Sequence, residues 1–354
     1  MKMRLKKIIG LFVCLVMVLS VFTECTKKDS DKVLNFLNYG ENIDDETLKL
    51  FKKEYGIKVN VETFDDMETM YNKVKSGAVK YDVILVSDSL MRRMINEELL
   101  QELNKDNIPN INQMDESYLN LDIDKDNKYS IPYMFGTVGL IYNTDHIEED
   151  VDSWDILWNE KYKNEIFMFN TYRDTIGAAL KSLGYSLNTT DEKELKEAKE
   201  ALLRQKSLVK IYESDLGTQT IANGETYVNM IWSGEGLNLQ DEYPNLKYVV
   251  PKEGANFWID SLCIPKNAEN VAGAEKFINF ISGKEAALRI ADEIGYTTPN
   301  KEAREEQSNE VKNNPNAYMT EEVMSRCEIY KDLDTADKER YMDIWTTLGI
   351  EEAE

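Results

Sequence analysis

Few residue types able to do covalent or metal chemistry stand at usable spacing in this chain. The single histidine, His146, excludes zinc sites built on imidazole, and the sequence has neither a glycine-rich phosphate loop nor a nucleophile elbow. Asp122-Ile123-Asp124-Lys125-Asp126 has the spacing of the first three ligands of a calcium loop. Asn127 stands where the loop needs glycine and Tyr133 where it needs a bidentate glutamate, so a solvated turn is expected and no metal site is assigned. Asp174 and Asp260 could form a carboxylate pair of the kind hydrolases use. Paired tryptophans around a chain with one histidine fit binding better than hydrolysis. No catalytic residue and no cofactor is expected.

The elements that must position these residues alternate. Residues 33–39 read as a strand and 45–55 as a helix, with Leu48, Phe51 and Tyr55 at helical spacing and Gly56 as its stop. Residues 58–64 read as a second strand, 67–75 as a helix, and 81–86 as an apolar strand of the buried parallel type. A second series has strands at 139–142, 166–169, 227–232 and 247–250, with helices at 175–183, 192–206 and 272–281. Strand and helix in alternation predict an α/β protein with ligands outside the strand C-termini. At 354 residues the chain is long enough for two cores. No long linker separates the two series, so the chain is expected to cross between lobes more than once.

The first residues are an export signal. Lys2, Arg4, Lys6 and Lys7 precede an apolar run from Ile8 to Phe22, which is too short for a comfortable membrane span. Phe22-Thr23-Glu24-Cys25 resembles a lipobox in which Glu24 and Phe22 replace the usual small residue and leucine. That implies lipid attachment at Cys25, a signal peptide over 1–24 and a tether over 25–32, with the protein on the outer face of the cytoplasmic membrane or in the periplasm. Cys263 and Cys327 then remain in the folded part as free thiols, Cys263 in an apolar strand context. A formal net charge of −23 argues against a nucleic-acid surface and suits a cationic ligand.

An ordered set of motifs identifies a family. Asn38-Tyr39-Gly40-Glu41, Tyr81-Asp82-Val83, Tyr129-Ser130-Ile131-Pro132-Tyr133, the stretch from Leu183 to Asp191, and Met230-Ile231-Trp232-Ser233-Gly234 come in this sequence. Val250-Pro251-Lys252-Glu253-Gly254, Phe257-Trp258-Ile259-Asp260-Ser261 and Gly295-Tyr296-Thr297-Thr298-Pro299-Asn300 follow in register. Together they resemble the bacterial spermidine/putrescine-binding proteins of polyamine ABC importers. The resemblance implies a two-lobe, type II periplasmic-binding fold whose lobes close on ligand. It places lobe one at 33–135 and 256–310, lobe two at 136–255, a C-terminal helical segment at 311–354, and crossovers near Phe135-Gly136-Thr137 and 253–257. It further implies a monomer that binds spermidine or putrescine and docks on permease subunits. The alternatives are a receptor of the same fold for another small cationic or amino-acid-like solute, and an exported hydrolase.

A polyamine carries two or three ammonium groups on short methylene chains, so its site needs carboxylates spaced along a trough and aromatic faces over the methylenes. Carried over from the family, the ligand-binding residues are Tyr39, Gly40 and Glu41 after the first strand, Thr171 and Asp174, and Ser214 as a minor polar contact. Trp232 and Trp258 are the stacking tryptophans, Asp260 the central acid, and Tyr296 the aromatic beside the first-lobe amine. In Val86-Ser87-Asp88-Ser89-Leu90 the family's tyrosine pair is absent, and Ser89 and Leu90 stand there. The neighbouring Asp88 could add a carboxylate to the trough, or its side chain could point to solvent. Tyr330 lies near where the family uses a glutamine. Asp82 is expected to be structural.

Overall fold

The computed structural model describes residues 32–40, 42–64 and 66–350. The expectations for the leader, for Cys25 and for Glu41 lie outside the described residues. The strands are β1 (Val33–Tyr39), β2 (Lys58–Phe64), β3 (Val83–Ser87), β4 (Ser130–Asn143), β5 (Ile166–Met168), β6 (Val209–Tyr212), β7 (Val228–Trp232), β8 (Leu246–Val249) and β9 (Phe257–Cys263). They form one hydrogen-bonded path in the order β2-β1-β3-β9-β4-β7-β5-β6, with β8 on β4.

Local chemistry accounts for the opening unit. Asp44 caps the helix Asp45–Tyr55 by accepting from the Thr47 amide, and Gly56 ends it at φ 70°. The chain returns parallel, with Val33 opposite Lys58 and Tyr39 opposite Phe64. Asp66 caps the helix Met67–Ser76 in the same way. β3 is buried along its whole length. It lies between parallel β1 and antiparallel β9. Asp82 holds this junction, its carboxylate accepting from the amides of Asn35, Glu269 and Asn270.

β4 joins the two halves of the sheet. Its first part pairs with β9 from Ser130↔Cys263 to Thr137↔Phe257. Its second part pairs with β7 from Val138↔Trp232 and with β8 from Leu140↔Val249. One core gathers around Phe36, Val83, Leu85, Ile131 and Phe277. Another gathers around Leu140, Trp154, Phe167 and Met230. The sequence reading starts this strand at Gly139, nine residues late. Proline is disfavoured inside a central strand because it donates no ladder bond. Here the register shifts between Pro132 and Met134, so the missing donor falls at an irregularity.

The helix Tyr172–Ser182 begins three residues before the expected Thr175. It and the helix Glu192–Gln205 form a face of Ile176, Leu180, Leu195 and Leu202. Onto that face the C-terminal helix Thr335–Leu348 sets Tyr341, Ile344, Trp345 and Leu348. Each such burial is worth about 1.5–3 kcal/mol, enough to hold the C-terminal segment down. Cys263 is a buried free thiol and Cys327 a half-buried one. Among the described residues no helix is long and apolar enough to cross a membrane.

Candidate functional site

The site is built outward from β9. Successive strand residues face opposite sides, so Trp258 and Asp260 share one face. Asp260 lies opposite Ser87 of β3 and Met134 of β4, where β9 is flanked on both edges. Its side chain is 7% exposed. Among the described residues its carboxylate accepts no hydrogen bond, and burial alone pushes its pKa up to about 7.

Asp88 stands beside it. Ser87 ends β3 opposite Asp260, and Asp88 opens the helix Asp88–Asn96 at that junction. Asp88 is 4% exposed, which rules out a side chain pointing to solvent. The helix turns back over the sheet immediately after β3 and carries its first side chain inward. Oδ1 accepts from the Ser89 amide at 2.8 Å, while Oδ2 is buried without a partner. Burial first, and then the charge of Asp260, hold this carboxyl well above the usual range; Asp174 adds to the rise and Arg173 opposes it. Asp88 is thus within electrostatic reach of acids on both halves of the sheet.

Asp174 is arranged differently. Thr171, at the helix N-terminus, donates its hydroxyl to Oδ2 at 2.7 Å, and Tyr330 donates to Oδ1 at 2.9 Å. Burial raises its pKa, opposed by those two hydroxyls and by Arg173. The Arg173 guanidinium stacks on Tyr330 at 4.4 Å and donates to Asn188 Oδ1 at 2.9 Å. Tyr330, which the sequence reading places near a family glutamine without counting it among the ligand-binding residues, is held against Asp174 here.

The aromatic residues close the arrangement. Trp258 meets Tyr296 edge-on at 5.2 Å, and Trp232 is tilted against Phe169 at 4.5 Å. Two glycines permit these positions. A Cβ on Gly136 would lie 2.5 Å from the Trp258 ring, and one on Gly234 would lie 2.3 Å from the Tyr296 ring. Tyr296 therefore rests directly on the first turn of the helix Ser233–Glu242. Burial raises its pKa most, followed by Glu235, Asp260 and Tyr39, so all three carry charge or dipole toward it. Tyr39 ends β1 with its ring edge-on to Phe64 at 5.4 Å. Gly40 follows at φ 47°, in the left-handed region that favours glycine. Tyr133 steadies this loop by donating to the Asn42 carbonyl at 2.6 Å.

Two predicted contacts have their hydroxyls engaged by neighbours. Ser89 Oγ is 2.8 Å from Ser87 Oγ, and Ser214 donates to Asn170 Oδ1 at 2.6 Å. Glu235 was not anticipated. It is half-buried, and burial followed by Asp215 lifts its pKa to about 7. Its place three residues after Trp232, in the first turn of the next helix, is the signal that could have found it. Among the described residues no group of three or more His, Cys, Asp or Glu is placed to hold a metal ion. Buried acids among aromatic faces can hold an organic cation.

Comparisons with known proteins give the family and the fold. The family of bacterial extracellular solute-binding proteins matches residues 46–320. The spermidine/putrescine-binding periplasmic protein of Salmonella typhimurium is 37% identical over 312 residues, covering 87% of this chain and 89% of that protein. Among solved structures, the spermidine/putrescine ABC transporter substrate-binding protein of Streptococcus pneumoniae superposes with a TM-score of 0.85 at 36% identity, covering 90% of this chain and 98% of that one. A lipoprotein of Treponema pallidum superposes with a TM-score of 0.81 at 25% identity, covering 89% and 99%. The fold is the type II periplasmic-binding fold that the motifs imply.

Proposed function

We propose that this chain, which belongs to the bacterial extracellular solute-binding proteins, captures a polyamine such as spermidine or putrescine and delivers it to an ABC importer. Asp260 carries the reading: a buried carboxylate that accepts no hydrogen bond among the described residues, on the same strand face as Trp258. An unpaired buried charge is unfavourable by several kcal/mol, and an ammonium seated against it removes that penalty. Trp258, Trp232 and Tyr296 supply faces for the methylenes, each worth roughly 0.5–2 kcal/mol toward a cation. Asp174 with Thr171 on one side, and Tyr39, Gly40 and Glu41 on the other, hold the terminal amines. Ser89 and Ser214 contribute through Ser87 and Asn170. The names of the relatives in Salmonella and Streptococcus support the ligand class.

In this reading the protein is a monomer exported to the periplasm or the outer membrane face. Residues 33–135 and 256–310 form one lobe and 136–255 the other, with the ligand between them, and permease subunits receive the closed form. Lipid attachment at Cys25 tethers it, in line with the lipoprotein relative of Treponema. A Cys25→Ala variant that stayed in the membrane fraction would count against the tether.

Thermal melting and calorimetry of the mature protein test the ligand class. Spermidine or putrescine should bind near micromolar, about −8 kcal/mol, and at a thousandfold excess over Kd add about 4 kcal/mol to stability. If neither raises the melting temperature at millimolar concentration, the ligand class is wrong. The buried, unpartnered Nε1 of Trp258 favours an acceptor-bearing, amino-acid-like solute instead. Titration with zwitterionic amino acids is the arm that distinguishes it.

A further inference from the structure

We propose that Asp88 is a ligand-binding carboxylate and that with Asp260 it forms a two-acid cradle for one secondary ammonium, which makes the cleft selective for triamines. The proposal rests on the polyamine reading and adds to it a residue and a rule of discrimination.

Asp88 and Asp260 are neighbours by strand register, since Ser87 lies opposite Asp260 and Asp88 follows it. Both are more than nine-tenths buried, at 4% and 7% exposed. A helix-opening acid is ordinarily explained by its own cap, and Oδ1 of Asp88 does accept from the Ser89 amide. Oδ2 has no such explanation: it is buried and without a partner. Leaving a buried acceptor unmade is unfavourable, so an occupant that donates to it is expected.

The occupant follows from counting donors. A secondary ammonium, R2NH2+, has two N–H bonds, one for Asp88 Oδ2 and one for Asp260. A primary ammonium has three and belongs where a third acceptor is at hand. Asp174, each of whose oxygens accepts one hydroxyl and keeps a further lone pair, serves a terminal amine in this reading and not the cradle. Of the other groups near the pair, Tyr133 donates to the Asn42 carbonyl and Arg173 donates through its terminal nitrogens to Asn188 and the Lys331 carbonyl, while Arg173 Nε and Trp258 Nε1 are buried donors without a partner. Asp88 follows β3 and Asp260 lies on β9 in one half of the sheet, and Asp174 comes from the helix after β5 in the other, so an extended ligand reaching Asp174 passes the cradle before its end.

The experiment compares spermidine with octamethylenediamine, which has the same span and a methylene in place of the inner NH. The parent should bind spermidine at least about tenfold more tightly than that diamine, a charge-assisted hydrogen bond being the difference. Asp88→Asn should lower that ratio severalfold, leaving the share that Asp260 supplies, chiefly by weakening spermidine, while melting without ligand at or above the parent temperature. Asp88→Ser, which retains a helix-capping oxygen, should lose the same discrimination. An unchanged ratio in folded Asp88→Asn would overturn the cradle and leave the polyamine reading intact. Equal weakening of both ligands, with a lower melting temperature, would overturn it too and assign Asp88 to helix capping. A parent that binds neither ligand would instead sink the polyamine reading itself.

Discussion

Replacing Asp260 by asparagine should move stability and affinity in opposite directions. The ordinary pKa of this carboxyl is 3.8, and burial lifts it to about 7 in the folded chain. The fold therefore holds the Asp260 proton more tightly than the unfolded chain does. Its contribution is fully favourable below the ordinary value and is lost as pH rises from about 4 to 7. Above that window the buried charge opposes folding by about 4 kcal/mol, at roughly 1.4 kcal/mol per tenfold difference in proton affinity. Asparagine keeps the shape and removes the charge, so Asp260→Asn without ligand should melt several degrees above the parent at pH 8. That advantage should vanish near pH 4, where the parent side chain is protonated. Ligand reverses the order. An ammonium seated against an amide instead of a carboxylate loses about 2–5 kcal/mol, or roughly 30- to several-thousand-fold in affinity. Melting curves at the two pH values and calorimetry with spermidine at pH 8 read both effects. A folded Asp260→Asn that binds spermidine as tightly as the parent would refute the placement of the site.

Two further outcomes follow from the same cleft. Asp88 and Asp260, the two acids of the proposed cradle, both hold protons more tightly than ordinary carboxyls, and a cation seated on their ionised forms would displace those protons. Spermidine affinity should fall by up to about tenfold per pH unit for each proton displaced as pH drops from 7 to 5. Calorimetry in buffers of different ionisation enthalpy should detect the released protons, and an affinity flat from pH 5 to 8 would contradict this. Gly234→Ala should keep the fold but prevent closure, because its Cβ would sit 2.3 Å from the Tyr296 ring. Overpacking of this kind is worth about 1–3 kcal/mol, so affinity should fall by about tenfold, and scattering should no longer show compaction with ligand. Parental affinity would mean that Tyr296 does not need to rest on that helix.

Much of the scaffold was legible because it depends on near neighbours. The first strand-helix-strand unit follows from apolar spacing, an Asp cap and Gly56 at the helix end. β4 was not legible in full. Pro132 and the glycines at 136 and 139 break every local strand signal, and only pairing with β9, β7 and β8 makes one strand of residues 130–143. The helix Ser233–Glu242 was missed for a similar reason, since Gly234 and Gly236 lower its propensity while close packing against Tyr296 and Tyr248 demands them.

The candidate site divides along the same line. The sequence by itself named candidates for holding a cation through the resemblance alone, Trp258 and Asp260 among them; that these two share a strand face came from β9 in the folded chain. The sequence could not tell how many of the acids were free to hold one. Asp88 and Asp174 both lie in the first turn of a helix, which the sequence reading did not see, since it began one helix at Thr175 and read none after Ser87. Tertiary packing gives each oxygen of Asp174 one hydroxyl, from Thr171 and Tyr330, and leaves Oδ2 of Asp88 without any partner. Residue type sets the donors and acceptors a chain possesses. Which of them remain unsatisfied depends on neighbours tens to more than a hundred residues away, and only the folded chain decides that.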